Sequence, residues 1–237
     1  MAPLKQTNRD IQRLREEYAR RAAASQHDIR YRPDNPAYHW MISRRQKQLK
    51  DLLSRNGISD LSRLSILEIG CGSGGVMREF LSLGADPARV VGVDLLADRL
   101  KAAREQSPAL PVACADGQTL PFPDDSFDLA VQFTAFSSIL DANIKQNMAA
   151  EVMRVLKPAG ALIWYDFWWN PLNKQTRGIT RAEIKRLFQA SRIEGGKITL
   201  APPITRHLIP RMPGLAGFLE SLQMFNSHYL FFIGKQP

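Results

Sequence analysis

The stretch SILEIGCGSGGVMREFL, Ser65 to Leu81, decides the fold. An apolar run of strand length meets a turn holding four glycines, and a helical pattern with Val76, Phe80 and Leu81 on one face follows until Gly84 ends it. Gly70, Gly72 and Gly75 satisfy G-x-G-x-x-G, the pattern of a strand-to-helix turn whose backbone closely approaches a ligand. Working outward, RVVGVDL is a second strand ending at Asp94, LPVACAD a third ending at Asp116, FDLAVQF a fourth, and GALIWYDF a fifth ending near Asp166. ADRLKAAREQS and ANIKQNMAAEVMRVL read as helices between them, the latter stopping before Pro158. Strands alternating with helices predict a parallel sheet, and three strands finishing on an Asp predict a rim of carboxylates at its ligand-binding edge.

Beyond Phe167, TRAEIKRLFQAS reads as a helix opened by Thr180, with Glu183 completing a capping box. GKITLAPPI and HYLFFIGK read as closing strands, and the Pro-broken RHLIPRMPGLAGFLESLQ stays unassigned. On the N-terminal side, 9–24 and 36–55 read as two helices, Pro36 standing at a first helical position. The expected architecture is an α/β, Rossmann-like, doubly wound and mostly parallel seven-stranded sheet. Its expected division is an N-terminal helical lid over 1–56 and a single domain over 57–237, with a cofactor half at 61–167 and acceptor-side elements at 168–237.

The 237 residues carry two cysteines, Cys71 in the glycine turn and Cys114 in a strand, with neither disulfide nor metal-site spacing, so no metal is expected. No leader-like or membrane-spanning apolar run is present, and a reducing, cytoplasmic setting is expected. Charge is distributed unevenly. Residues 1–56 hold 13 basic and 6 acidic side chains, 57–170 hold 9 and 14, and 171–237 hold 10 and 3. An acidic middle suits a cationic or zwitterionic cofactor, and basic flanks suit an anionic acceptor. Ile11, Leu14 and Tyr18, at helical spacing among basic residues, also suit peripheral contact with an anionic membrane.

Glycine turn and following acid serve NAD and S-adenosylmethionine alike, Asp94 accepting both ribose hydroxyls in either case. Glu68 separates them. A carboxylate two residues before the first glycine repels a pyrophosphate and attracts a sulfonium and an ammonium.

ILEIGCGSGG, VVGVDL, ACADGQTLPFPDDSFDLAVQF and RVLKPAGALIWYDF, in this order across 61–167, resemble the class I S-adenosylmethionine-dependent methyltransferases that act on small molecules, including the ubiquinone- and menaquinone-type enzymes. WYDFWWNPLNKQTRGITRAEIKRLF is similar to bacterial methyltransferases of polysaccharide and secondary-metabolite biosynthesis. By that resemblance Glu68, Gly70, Cys71, Gly72 and Gly74 hold the methionine end of the cofactor, and Leu95 packs on the adenine. Asp116 then accepts the adenine amino group, Gly117 lets the ring lie close, and Gln132 and Phe133 face the transfer centre. The expected reaction is methylation of a small or sugar-like, anionic acceptor at oxygen.

An oxygen nucleophile benefits from a base, and His39 and Asp166 are the candidates. Arg177 and Arg181 are candidates for gripping an anionic group, and the aromatics from Trp164 to Trp169 for flooring a pocket. Two other classes were weighed. A nucleic-acid methyltransferase fits the basic flanks, but VQFTAFSS lacks the Asn/Asp-Pro-Pro-aromatic motif, and neither cysteine stands where a cytosine-directed nucleophile belongs. A non-catalytic binding subunit would not need the full set of cofactor residues.

Overall fold

The structure is a computed structural model that describes residues 10–20, 34–171, 173–189 and 191–236. Its frame is a seven-stranded sheet of order β3-β2-β1-β4-β5-β7-β6. The strands are β1 (Ile66–Ile69), β2 (Val90–Asp94), β3 (Val112–Cys114), β4 (Phe127–Phe133), β5 (Leu156–Phe167), β6 (Arg192–Leu200) and β7 (Asn226–Gly234). Neighbours from β3 to β5 pair in parallel, and β7 runs antiparallel to both β5 and β6. Every residue of β1 is buried, as expected of a central strand covered on both faces. The strand order reverses between β1 and β4, and there a doubly wound sheet opens its ligand crevice.

Residues 10–20 form helix α1. It is followed by α2 (Pro36–Arg55), α3 (Gly75–Ser82), α4 (Ala97–Gln106), α5 (Ala142–Val155), α6 (Arg181–Leu187), α7 (Pro202–Leu208) and α8 (Pro213–Ser221). Residue 9 and residues 21–24 of the first expected helix lie outside the described residues. Asn35 caps α2 by accepting from the Ala37 and Tyr38 N–H groups, with Pro36 at the start as expected. Thr180 likewise caps α6 through the Glu183 N–H.

Each sheet face carries its own apolar core. On one face Leu49, Leu52 and Leu53 of α2 pack with Met77 and Phe80 of α3 and Leu100 of α4 against Ile66, Val90 and Leu129. On the other, Ile144, Met148 and Val152 of α5 meet Leu67, Ala130, Leu162 and Trp164, and Leu14 of α1 joins this second core. Helix α2 is therefore integral to the sheet's covering, and of the N-terminal pair only α1 sits at the carboxyl-end crevice.

Three local readings are corrected. The fifth strand begins at Leu156, four residues before the expected Gly160, because Lys157 to Gly160 form an irregularity within it, with Ala159 at φ +63°, across a register shift opposite Phe127 and Leu129. GKITLAPPI is a strand only to Leu200, since Pro202 opens α7, and the strand starts earlier, at Arg192. The unassigned Pro-broken stretch forms α7 and α8, whose Ile209 and Ala216 pack with Ala37 of α2 and Leu200.

Gly195 in β6 has φ +128°, and a Cβ there would lie 2.1 Å from the Leu230 carbonyl oxygen of β7. A left-handed backbone combined with a clash against backbone costs about 1–3 kcal/mol. Gly195→Ala is expected to lower the melting temperature by several degrees, by roughly 2–4 °C for each kcal/mol, as read by differential scanning calorimetry.

Candidate active site

The carboxyl ends of β1, β2 and β4, the chain just after β3, and α1 enclose a cavity of about 130 Å³. Gly70, Asp94, Leu95, Asp116, Gly117 and Phe133 all line it, so six of the eleven candidate cofactor residues, drawn from four different strand ends, converge on one space. Its remaining walls include Ile11, Leu14 and Tyr18 of α1, Thr134, Ala135 and Ser138 after β4, and Ile144 and Met148 of α5.

The glycine turn is held against β2 by the Gly70 and Cys71 N–H groups, which donate to the Val93 carbonyl at 2.8 and 3.0 Å. Gly70 has φ +75°, and a Cβ there would stand 3.0 Å from that of Ala135, so a side chain would both strain the turn and crowd the loop after β4. Asp94 is 5% exposed. Its Oδ2 accepts from the Gly72 N–H at 2.8 Å and its Oδ1 from the Leu96 N–H at 2.9 Å, which ties the glycine turn to the start of α4. Asp116 accepts from the Gln118 N–H at 2.9 Å and from the Gln118 side chain.

Glu68, Cys71, Gly72, Gly74 and Gln132 do not line the cavity, and all five are buried. Gly74 caps α3 in a left-handed conformation, and its N–H donates to the Cys71 carbonyl at 2.8 Å. Burial and the neighbouring Glu68 push the Cys71 thiol up, which makes it inert. Gln132 accepts from the Ala135 N–H through Oε1, while its buried Nε2 has no hydrogen-bond partner. Burial pushes the Glu68 carboxyl up to about 8, against a downward pull from a Met77 backbone hydrogen bond. Its Oε2 is buried without a partner. A buried polar atom left unpaired directly under a ligand turn is costly unless a ligand repays it.

The two candidate bases are not brought to this space. Asp166 is fully buried, accepts from the Ser137 N–H at 3.0 Å and from the Phe167 N–H at 2.8 Å, and so anchors the turn Phe136–Ser138 after β4. Burial raises it to about 6, although those hydrogen bonds and the Lys145 charge pull the other way. His39 is exposed on α2. Arg177 pairs with Glu183 at 2.6 Å and Arg181 lies over the Phe231 ring at 5.6 Å, and neither reaches the cavity. Of the aromatic run, Trp164 is buried against Phe136 and Phe188, and Tyr165 stacks on His228. Ile11, Leu14 and Tyr18, the stripe expected to suit membrane contact, line the cavity.

Two residues were missed by sequence reasoning. Thr134 lines the cavity with φ +61°, a conformation a β-branched residue adopts only under constraint, and its N–H donates to the Tyr165 carbonyl at 2.8 Å. No sequence signal marks it. Arg99 pairs with Asp94 Oδ2 at 3.1 Å and lies 4.4 Å from the centre of the Tyr18 ring, spanning the mouth between α4 and α1. Its place in the first turn of α4, five residues after the strand-end acid, was the available clue.

Arg99 thus occupies the carboxylate that ribose hydroxyls would use. The pair is partly solvated, worth about 1 kcal/mol or less. Arg99→Ala is expected to tighten S-adenosylmethionine binding about two- to fivefold in stopped-flow fluorescence, through a faster association step.

Comparison with known proteins agrees with this geometry. Residues 66–160 match the family model described as "Methyltransferase domain". The chain is 35% identical over 117 residues to a phthiotriol/phenolphthiotriol dimycocerosates methyltransferase of Mycobacterium leprae, covering 48% of this chain and 41% of that protein. It is 33% identical over 115 residues to a ubiquinone/menaquinone biosynthesis C-methyltransferase of Pseudomonas syringae pv. tomato, covering 46% and 43%. The matches span less than half the length of these relatives. Among solved structures, an S-adenosylmethionine-dependent methyltransferase of Mesorhizobium loti superposes with TM-score 0.55 at 21% identity, over 76% of this chain and 94% of that one. A putative methyltransferase from Haloferax volcanii, solved with its Trm112 activator, superposes with TM-score 0.59 at 18% identity, over 84% and 92%.

The cofactor of this family fits the residues present. A sulfonium-bearing nucleoside would be met by a side-chain-free Gly70 and by carboxylates at the ends of β2 and β3, with the unpartnered Oε2 of the buried Glu68 two residues before the turn. Residues 66–160 are thus similar to a methyltransferase domain, and the sheet built around them shares its fold with the S-adenosylmethionine-dependent methyltransferase of Mesorhizobium loti.

Proposed function

We propose that the chain transfers a methyl group from S-adenosylmethionine to a small lipophilic acceptor that enters beneath α1. The observation that carries this reading is the convergence of Gly70, Asp94 and Asp116 on one cavity whose other walls, from Ile11, Leu14, Ile144 and Met148, are apolar. Apolar walls with a few convergent polar groups favour a ligand of the same character. The named relatives act on a lipid and on quinones, which supports the same class.

When bound, the cofactor supplies an electrophilic methyl carbon and a neutral leaving group. The protein's part is alignment and exclusion of water. Asp94 and Asp116 orient the nucleoside, the strained Thr134 fixes the wall opposite the turn, and α1 covers the mouth. Tyr18 Oη and Ser138 Oγ, 3.1 Å apart, offer the polar contacts for an acceptor hydroxyl at that mouth.

A sugar-like, anionic acceptor methylated at oxygen is the narrower reading, supported by the 10 basic against 3 acidic side chains of residues 171–237. A radiolabelled-methyl assay against a long-chain quinol, a phenolic glycolipid, a sugar phosphate and an aromatic carboxylate separates the two. Label extracted into organic solvent from the first two acceptors is expected. Label confined to the sugar phosphate or carboxylate would replace the lipophilic reading, and no transfer at all despite cofactor binding would favour a binding subunit.

A further inference from the structure

Among the described residues, helix α8 leaves an apolar face exposed. At 100° per residue, Met212, Leu215, Phe218 and Leu222 fall within about 120° of arc, and they are 50%, 39%, 59% and 45% exposed. The helix's opposite side is what the fold uses, through Ala216 in the small core with α2 and through Glu220. Met224 and Phe225, just before β7, and Trp169, just after β5, are exposed apolar side chains as well. The Ala201 N–H donates to the Phe225 carbonyl, and the Trp168 indole to that of Asn226, so this surface lies where β5 and β6 end. That is the same edge of the sheet on which the cofactor cavity opens.

Exposed charge on the segment that carries this face has one sign, and beside it on α2 the cations Arg44 and Lys47 are accompanied by the exposed Asp51. From Gly195 to Phe232 the only acid is Glu220, which is buried and ion-paired with Arg44 of α2 at 2.6 Å. Lys197, Arg206 and Arg211 come from the same segment, and Lys47 lies on α2 one turn beyond Arg44. An exposed apolar helix face with cations around it and no exposed carboxylate in its segment has the complementarity of an anionic interface. A second copy of the chain would bring this basic rim against itself across a two-fold axis.

We propose that the α8 face docks on the surface of an anionic phospholipid bilayer, with Phe218 and Leu222 entering the headgroup–acyl boundary and Arg211 and Lys197 meeting lipid phosphates. The sheet's carboxyl end, with the cavity mouth, then faces toward the membrane. The inference stands apart from the acceptor reading, since docking is measured without cofactor or acceptor.

Co-sedimentation of the full chain with vesicles of phosphatidylcholine containing one-third phosphatidylglycerol tests it, with pure phosphatidylcholine as the other arm. The wild type is expected to sediment with the anionic vesicles at low salt, much less with neutral ones, and to be released by high salt. Phe218→Ser with Leu222→Ser is expected to weaken that partitioning at least about tenfold. Arg211→Glu, a change at an exposed position that leaves the apolar face intact, is expected to weaken it about tenfold on anionic vesicles alone. Wild type remaining in the supernatant, or either variant binding as tightly as wild type, would overturn the proposal. A wild type that is dimeric by analytical ultracentrifugation, becomes monomeric in the double Ser variant and ignores vesicles would also overturn it, in favour of a second copy as the occupant.

Discussion

Asp94→Ala is expected to weaken S-adenosylmethionine binding at least about a hundredfold, measured by equilibrium dialysis. Two losses combine. The ribose hydroxyls lose their acceptor, and hydrogen bonds to a charged group are each worth about 1.5–3 kcal/mol. The turn also loses its tie, because Asp94 holds the Gly72 and Leu96 N–H groups at 2.8 and 2.9 Å. Asp94→Asn keeps one acceptor oxygen for this scaffold and is expected to bind with an intermediate loss. If Asp94→Ala binds as the wild type does, the ribose is not held at the end of β2 and the placement of the nucleoside along β1, β2 and β3 is wrong.

Glu68→Gln is expected to reverse a pH-dependent weakness of the ligand-free protein. Folding raises the Glu68 carboxyl from an ordinary value of 4.5 to about 8, chiefly by burial. Between those values the folded chain holds a proton that the unfolded chain has released, so stability falls as pH rises through this window. A shift of that size corresponds to roughly 3–5 kcal/mol in total, and about 2 kcal/mol of it falls between pH 6.5 and 8. Two other buried groups act lower down. Asp166, raised to about 6, loses stability in the same direction below that pH. His228, depressed to about 3 by burial, gains stability as pH rises toward its ordinary 6.5. Above about pH 7 the Glu68 contribution therefore dominates over both.

Urea melts of wild type and Glu68→Gln at pH 6.5 and 8.5 are expected to show a drop in wild type that the variant lacks. The same carboxyl also predicts ligand linkage. A cation seated on the turn favours the ionised form, so cofactor affinity is expected to rise with pH up to about 8 in wild type and to change much less in Glu68→Gln. Parallel pH curves for the two proteins would remove Glu68 from both roles.

How much was legible follows from what each pattern encodes. The β1 run, the glycine turn and the acids ending β2 and β3 were readable because a buried parallel strand must be continuously apolar, and its carboxyl end faces the crevice whatever surrounds it. The same reasoning misled for Asp166. A strand's end tells how far along the sheet a residue lies, whereas alternation decides its face, and Asp166 shares the α5 face with Leu162 and Trp164, beneath the Ser137 turn. His39 was drawn toward the site by its aromatic neighbours, but the start of α2 packs on α7 and α8 instead, burying Ala37 and leaving His39 exposed.

Lys157 to Gly160 looked like a break because proline interrupts regular patterns, yet a register shift accommodates the extra chain beside Phe127. Helices α7 and α8 were hidden for a related reason. Their prolines stand at first turns, where they are harmless, and the packing that stabilises them comes from α2, far away in sequence. The roles of Arg99 and Thr134 depend on contacts made only once the sheet is assembled, with Tyr18 on one side and Tyr165 on the other.

The central claim is that the cavity at the ends of β1, β2 and β3 takes S-adenosylmethionine. Isothermal titration calorimetry of the full chain with S-adenosylmethionine and, separately, with NAD tests it most directly. Saturable binding of S-adenosylmethionine at a single site, with no heat of binding from NAD, is the predicted result. Binding of NAD at that site, or no binding of S-adenosylmethionine by the folded wild type, would contradict it.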